Sequence, residues 1–162
     1  NARAAAATRL YARLRDLRGR TIAGYLPIGS EADPMGVLRV LSRDNGICMP
    51  VVVAPGAPLR FREWWPGCEV EEGAFRVRVP VSGGWRVPDV VIVPLLGFDA
   101  EGGRLGYGGG FYDRTLAGLS GAWIVGFALE AQRVGEIPRD ATDILLPQVV
   151  TERGVFGSDH PS

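Results

Sequence analysis

Residues 2–18 are an Ala/Arg/Leu stretch with Leu10, Leu14 and Leu17 at helical spacing. The pattern predicts an amphipathic helix that lies on a sheet and ends before Gly19. Residues 21–25 form a short apolar run closed by Pro27, and after the loop 28–32 Asp33 is placed to cap a helix whose first residue is Pro34. Residues 47–53 read as a buried strand, whereas 59–64 and 75–79 alternate apolar and charged positions as half-exposed strands do. A small antiparallel excursion is therefore expected in the middle of the chain. Residues 90–96 are almost wholly apolar, the loop 97–110 follows, and 111–119 place Tyr112, Leu116 and Leu119 on one helical face. Further strands are expected at 123–129 and 149–156, with a short irregular or helical piece at 138–146. Strands alternating with helices predict an α/β fold, a three-layer α/β/α sandwich with a mostly parallel sheet.

The 162 residues suit a single domain over 1–162 with a polar tail at 157–162, and 46% hydrophobic content is ample for one core. Eighteen acidic residues balance eighteen basic ones, so no overall field recruits nucleic acid or an anionic membrane, and any anion site must be local. No apolar run reaches the roughly 18 residues of a membrane span. A cytoplasmic monomer acting on a small molecule is the expectation. Cys48 and Cys68 lie in separate segments without metal-ligand spacing and read as small apolar residues. Every basic residue is arginine, which excludes lysine Schiff-base chemistry and a P-loop lysine. The single histidine, His160, stands in the tail, away from any expected site.

In open α/β sheets the ligand crevice lies beyond the carboxyl ends of the strands, which directs attention to the loops after Tyr25 and Leu96. The second runs from Gly97 through Arg104, Leu105, Gly106, Tyr107, Gly108, Gly109 and Gly110 into Phe111, Tyr112, Asp113 and Arg114. Glycines before a helix N-terminus let backbone amides approach an anion, and a phosphate cradle is the physical reading. Arg104 and Arg114 can add planar charged donors. Asp113, in the first helical turn, can complement the helix dipole or hold a magnesium ion. Glycine-rich loops also simply turn corners, and this one matches neither dinucleotide nor P-loop spacing.

The ordered run Arg104-Leu105-Gly106-Tyr107-Gly108-Gly109-Gly110-Phe111-Tyr112-Asp113 is more specific than its glycine content, and it resembles the R-L-G-x-G-x-G-[FY]-Y-D signature of 5-formyltetrahydrofolate cyclo-ligases, also called methenyltetrahydrofolate synthetases. The segments 25–33, 88–99, 126–132, 137–143 and 149–152 are similar to that family as well, so the resemblance spans roughly 20–154. It implies an α/β/α sandwich that uses ATP and Mg²⁺ to close 5-formyltetrahydrofolate to 5,10-methenyltetrahydrofolate. The formyl oxygen would be phosphorylated on the way, with release of ADP and phosphate. Residues 104–112 would hold ATP, and Tyr107 and Phe111 would also border the folate. Glu31 would bind near the formyl group, and Asp113 and Asp143 would bind the metal. Arg104, Glu31 and Tyr112 are the candidate catalytic residues. Trp64 and Trp65 face opposite sides of a strand, so one can line the cavity while the other packs or is exposed; alternation does not say which, and Trp64 is taken as the substrate-binding candidate.

Structural alternatives stand beside these roles: a loop acid at Glu31, a core ring at Tyr112, a turn cap at Asp143. The family usually carries a basic N-terminal helix ahead of the segment at which this sequence begins, and the open expectations for it here are that it is truncated, disordered or absent. Gly109 stands where many relatives have lysine, and Val79 where the family has glutamate before proline. A folate- or nucleotide-binding relative without catalysis is the main alternative. A phosphosugar isomerase or acyl-transferase relative of similar topology is a weaker one.

Overall fold

The computed structural model describes residues 1–106, 110–139 and 143–157 of the chain. In chain order its elements are α1 (Ala2–Leu14), β1 (Thr21–Ala23), α2 (Met35–Leu41), β2 (Gly46–Val51), β3 (Arg60–Trp64), β4 (Val70–Glu72), β5 (Arg78–Pro80), β6 (Trp85–Arg86) and β7 (Val90–Pro94). There follow β8 (Gly97–Phe98), β9 (Arg104–Leu105), α3 (Phe111–Ala117), β10 (Trp123–Phe127), β11 (Val149–Thr151) and β12 (Gly154–Phe156). Eight strands form one sheet in the order β12-β11-β10-β7-β1-β2-β3-β6. Its five central strands, from β11 to β2, are parallel, and β3, β6 and β12 are added antiparallel at the edges.

Alternation along β7 shows how the layers are built. Val90 and Ile92 point into a core closed by Ala6, Leu10 and Leu14 of α1 and by Val37, Leu38 and Leu41 of α2. Val91 and Val93 point into a second core with Phe98, Leu146 and Leu116 of α3. Both sheet faces are thus covered, as a parallel sheet requires, and each such aliphatic side chain contributes about 1.5–3 kcal/mol on burial. The expected three-layer sandwich is the observed one. Gly24, directly after β1, lies close against α2: a Cβ there would come within 2.3 Å of Leu38 Cδ1.

Several boundaries differ from expectation. Helix α1 is capped by Asn1, whose side chain accepts from the Ala4 N–H, but it ends at Leu14 rather than near residue 18. Asn45 Nδ2 donates to the Leu17 and Leu41 carbonyls and so ties that turn to the end of α2. Asp33 accepts from the Met35 N–H, and Pro34 is the cap rather than the first helical residue. The segment 75–79 divides into a 3-10 turn, Ala74–Arg76, and the start of β5, which pairs with β4. The last strand is a hairpin, because Glu152 and Arg153 turn the chain while Thr151 Oγ1 accepts from the Arg153 N–H. The described part of 138–146 has no regular structure, and the tail 158–162 lies outside the described residues together with His160.

This topology positions the crevice. From β1 the chain moves through α2 to β2 on one side, whereas from neighbouring β7 it moves through α3 to β10 on the other. The loops that leave β1 and β7 therefore diverge and leave a cleft between them.

Candidate active site

A cavity of about 590 Å³ opens at this divergence, within the size range of small-molecule sites. Tyr25, Leu26, Ile28 and Glu31 line it from the loop after β1, and Pro50 to Val52 from the end of β2. Arg104 to Gly106 and Gly110 to Asp113 form the opposite wall, with Ile137 and Pro138 beside them. The excursion between β4 and β5 covers one side through Gly73, Ala74, Phe75, Val77 and Val79. Glu31 and Arg104, separated by more than seventy residues in sequence, thus share one apolar cleft with few polar groups.

Glu31 is buried, and its Oε1 accepts from the Ile28 N–H at 2.7 Å, which folds the loop back on itself. Its carbonyl accepts from Arg3 Nη2 at 2.7 Å, so α1 also braces the loop. Tyr25 donates its hydroxyl to the Ala32 carbonyl at 2.6 Å. Phe111 stands at the cleft with Phe75 edge-on to it, ring centroids 5.9 Å apart. Phe75 is 73% exposed and has φ 58°, ψ 27°, and the next residue, Arg76, has φ 61°. Two successive non-glycine residues in the left-handed region store backbone strain. The sequence pattern did not mark Phe75 as a site residue, because its alternation reads as a strand.

The glycine-rich wall carries the charge. Arg104 lies on β9, its side chain 9% exposed, and Nη2 donates to Asp113 Oδ1 at 2.6 Å. The Ile144 N–H also reaches that oxygen at 3.1 Å. The Arg104 guanidinium lies 6.0 Å from the Tyr112 ring centre, and that of Arg114 lies 5.0 Å from the Phe111 ring centre. Arg104 Nε and Arg114 Nε and Nη2 are buried without hydrogen-bond partners among the described residues. Such donors are costly to leave unmatched, and they fit an anionic ligand. Gly110 caps α3 at φ 64°, ψ 22°, and a Cβ there would come within 3.0 Å of Arg114 Nη1. Tyr107, Gly108 and Gly109 lie outside the described residues.

Next to the cleft lies a recess of about 20 Å³, lined among others by Arg104, Asp113, Arg139 and Asp143. The two carboxylates expected at a metal thus reach one small polar space. Asp113, however, already neutralises Arg104, and no group of three or more His, Cys, Asp or Glu side chains placed to hold a metal exists among the described residues. A cation here needs oxygen ligands from its substrate, which is how Mg²⁺ usually binds beside phosphates. Trp64 is placed differently from expectation. Three positions beyond Phe61 on β3, it packs into the core under α1 and α2 and does not line the cavity, while Trp65 is exposed.

Asp99 lies in the loop after β7 and has no sequence pattern that marks it as a site residue. It is buried, and burial alone would raise its pKa, but the N–H groups of Ile137, Gly103 and Glu101 and the charge of Arg139 outweigh that and hold it below the ordinary value. Cys48 is pushed up to about 12 by burial and is an inert core thiol.

Comparison with known proteins places these features in context. The model of the 5-formyltetrahydrofolate cyclo-ligase family matches residues 1–152. The chain is 34% identical over 160 residues to the 5-formyltetrahydrofolate cyclo-ligase of Escherichia coli K12, covering 93% of this chain and 88% of the relative. It is 32% identical over 152 residues to that of Mycolicibacterium smegmatis, covering 86% of this chain and 77% of the relative. The solution structure of Aquifex aeolicus 5,10-methenyltetrahydrofolate synthetase superposes with a TM-score of 0.76 at 28% identity, covering 97% of this chain and 83% of the other.

Proposed function

Because the chain belongs to the 5-formyltetrahydrofolate cyclo-ligase family, we propose that this enzyme closes 5-formyltetrahydrofolate to 5,10-methenyltetrahydrofolate at the cleft between the β1 and β7 loops, consuming ATP. In the reaction the N5-formyl oxygen attacks the γ-phosphorus and ADP departs. N10 then attacks the activated formyl carbon and loses its proton, and the formyl oxygen leaves within inorganic phosphate. Such phosphoryl transfer depends on positioning and charge neutralisation, so a site without histidine is adequate.

The observation that carries this reading is Arg104, a cleft-lining guanidinium, 9% exposed, whose Nε has no partner among the described residues. Arg114 carries two further buried unmatched donors against Phe111, behind the cleft wall rather than on it, and Gly106 and Gly110 line the cleft. These groups suit the phosphates of ATP, and Tyr112 belongs to the same wall; Tyr107, outside the described residues, is assigned to ATP by the family resemblance. Glu31, across the cleft, is in position to accept from N–H groups of the folate near its formyl group, and Phe111 offers a flat face to the pterin. Asp113 and Asp143 are the residues that would hold Mg²⁺. When bound, the ion supplies charge neutralisation between the phosphate oxygens. The apolar remainder of the lining keeps water from the activated formyl carbon.

The test is the ATP-dependent absorbance rise of methenyltetrahydrofolate when purified protein meets the 5-formyl compound and MgATP. Product that forms only with ATP supports the proposal. Binding of both ligands without product would favour the alternative of a folate- and nucleotide-binding relative that has lost catalysis.

A further inference from the structure

One buried hydroxyl ties two parts of the cleft lining together from behind. Thr115 lies on α3, one turn beyond Phe111, and is only 4% exposed. Its Oγ1 donates to the Phe111 carbonyl at 2.6 Å and accepts from the Leu59 N–H at 2.8 Å. A threonine hydroxyl has one proton to give and lone pairs to receive one, so a single oxygen serves both bonds. Leu59 is 56 residues away in sequence and stands immediately before β3, whose pairing with β2 begins at Arg60 and Val51. Its buried N–H needs an acceptor, and Thr115 supplies it.

Phe111 and Leu59 both line the cleft, whereas Thr115 does not. The apolar core behind them, with Phe61 of β3 and Leu116 of α3, draws helix and strand together. Such packing is non-directional, while a hydrogen bond fixes both distance and angle. The hydroxyl therefore sets where the first turn of α3 stands relative to the start of β3. The nucleotide end of the cleft is held by other groups. Arg104 enters on the hairpin that follows β7, which β1 and β2 separate from β3, and Asp113 is held by Arg104 and the Ile144 N–H.

We propose that Thr115 is a positioning residue for the folate: its hydroxyl fixes the spacing between Phe111 on α3 and Leu59 at the start of β3, and so the width of the cleft where the ring system of the substrate enters. This inference rests on the folate reading above. Thr115 touches no substrate and acts through the two side chains whose backbone it holds.

The experiment is calorimetric titration of the wild type, Thr115→Val and Thr115→Ser with 5-formyltetrahydrofolate, and separately with MgADP. Valine keeps the shape of threonine but can neither donate nor accept, whereas serine keeps the hydroxyl and loses only a methyl group. Thr115→Val should bind the folate about tenfold more weakly and MgADP within about twofold of the wild type, since a small misplacement of a binding wall has effects of at least this size. Thr115→Ser should bind both ligands as the wild type does. Should Thr115→Val fail to fold, Thr115→Ala removes the same two bonds with a better helix former and decides the matter. Unchanged folate affinity in a folded variant without the hydroxyl, equal loss for both ligands, or a serine variant as weak as the valine one would overturn the inference. Failure of both hydroxyl-free variants to fold would make Thr115 purely structural and overturn it too. All of these results would leave the functional reading standing, whereas a wild type that binds no folate would overturn both together.

Discussion

Arg104 Nη2 and Asp113 Oδ1 meet at 2.6 Å inside the cleft, so the cation assigned to the phosphates and the carboxylate assigned to the metal neutralise one another. Arg104→Ala removes both the phosphate donor and the partner of Asp113. Loss of a preorganised donor of this kind costs about 2.7–4 kcal/mol in the transition state, so kcat should fall by a factor on the order of 10² to 10³. The protein should stay folded, because Asp113 keeps the Ile144 N–H and partial access to water. Steady-state kinetics with a melting curve checks this. Near wild-type kinetics would remove Arg104 from the mechanism.

Asp113→Asn should separate nucleotide from metal. The asparagine still accepts from the Ile144 N–H but no longer offers a charge to a cation. Calorimetry should show little Mg²⁺ binding to the protein alone, clear binding with nucleotide, and a marked loss of the coupled event in the variant. A change confined to the melting temperature would instead make Asp113 a structural acid at the start of α3, worth only about 0.3–1 kcal/mol.

Glu31→Gln should weaken folate binding far more than ATP binding. The new amide oxygen can still accept from the Ile28 N–H, so the loop after β1 should hold its shape while the charge facing the substrate disappears. Separate titrations with the two ligands read the difference, and equal losses would contradict the role.

Backbone strain at Phe75 and Arg76 gives a stability prediction. Both residues have positive φ, which costs roughly 1 kcal/mol or more for a side-chain-bearing residue, partly offset by the greater freedom of glycine in the unfolded chain. Arg76→Gly should therefore raise the denaturant midpoint slightly without a change in slope. A lowered midpoint would show that the Arg76 side chain contributes more than the strain costs.

Acid should destabilise the protein through two carboxylates. Burial would raise the pKa of both Asp99 and Glu130. Asp99 is nevertheless held low by its backbone donors and Arg139, and Glu130 by the hydrogen bonds of Arg133 and Thr151 and the charges of Arg133 and Arg153. Their lowered folded pKa values mean that the unfolded chain binds protons first as pH falls. The stabilisation is complete above the ordinary values of 3.8 and 4.5 and is lost as pH drops through the folded ones. Asp99→Asn should flatten that part of the stability–pH curve, measured by denaturant unfolding. An unchanged curve would contradict it.

The two strand–loop–helix units that frame the cleft are legible in the sequence because each pairs a dense apolar run, 21–25 or 90–96, with helical spacing beyond its loop. Strands β4, β6 and β9 are not, since two or three residues show no period. The hairpin of β11 and β12 is hidden because its Glu152-Arg153 turn carries none of the usual turn residues. At the site, Glu31, Arg104, Phe111 and Asp113 can be singled out from loop position and motif. The ion pair between Arg104 and Asp113 cannot, because it depends on how a β-hairpin and a helix face one another. Asp99 was hidden for a related reason: its partners Ile137 and Arg139 lie about forty residues downstream and are brought in by tertiary folding. Trp64 shows the limit of strand alternation, which says that Trp64 and Trp65 face opposite ways without saying which face holds the cleft.

The fate of the formyl oxygen tests the proposed chemistry most directly. With 5-formyltetrahydrofolate labelled with ¹⁸O in its formyl group, turnover in unlabelled water with MgATP should place the label in inorganic phosphate, one atom per methenyl product formed. Label released as water, or product formed without ATP, would contradict phosphorylation of the formyl group at this cleft.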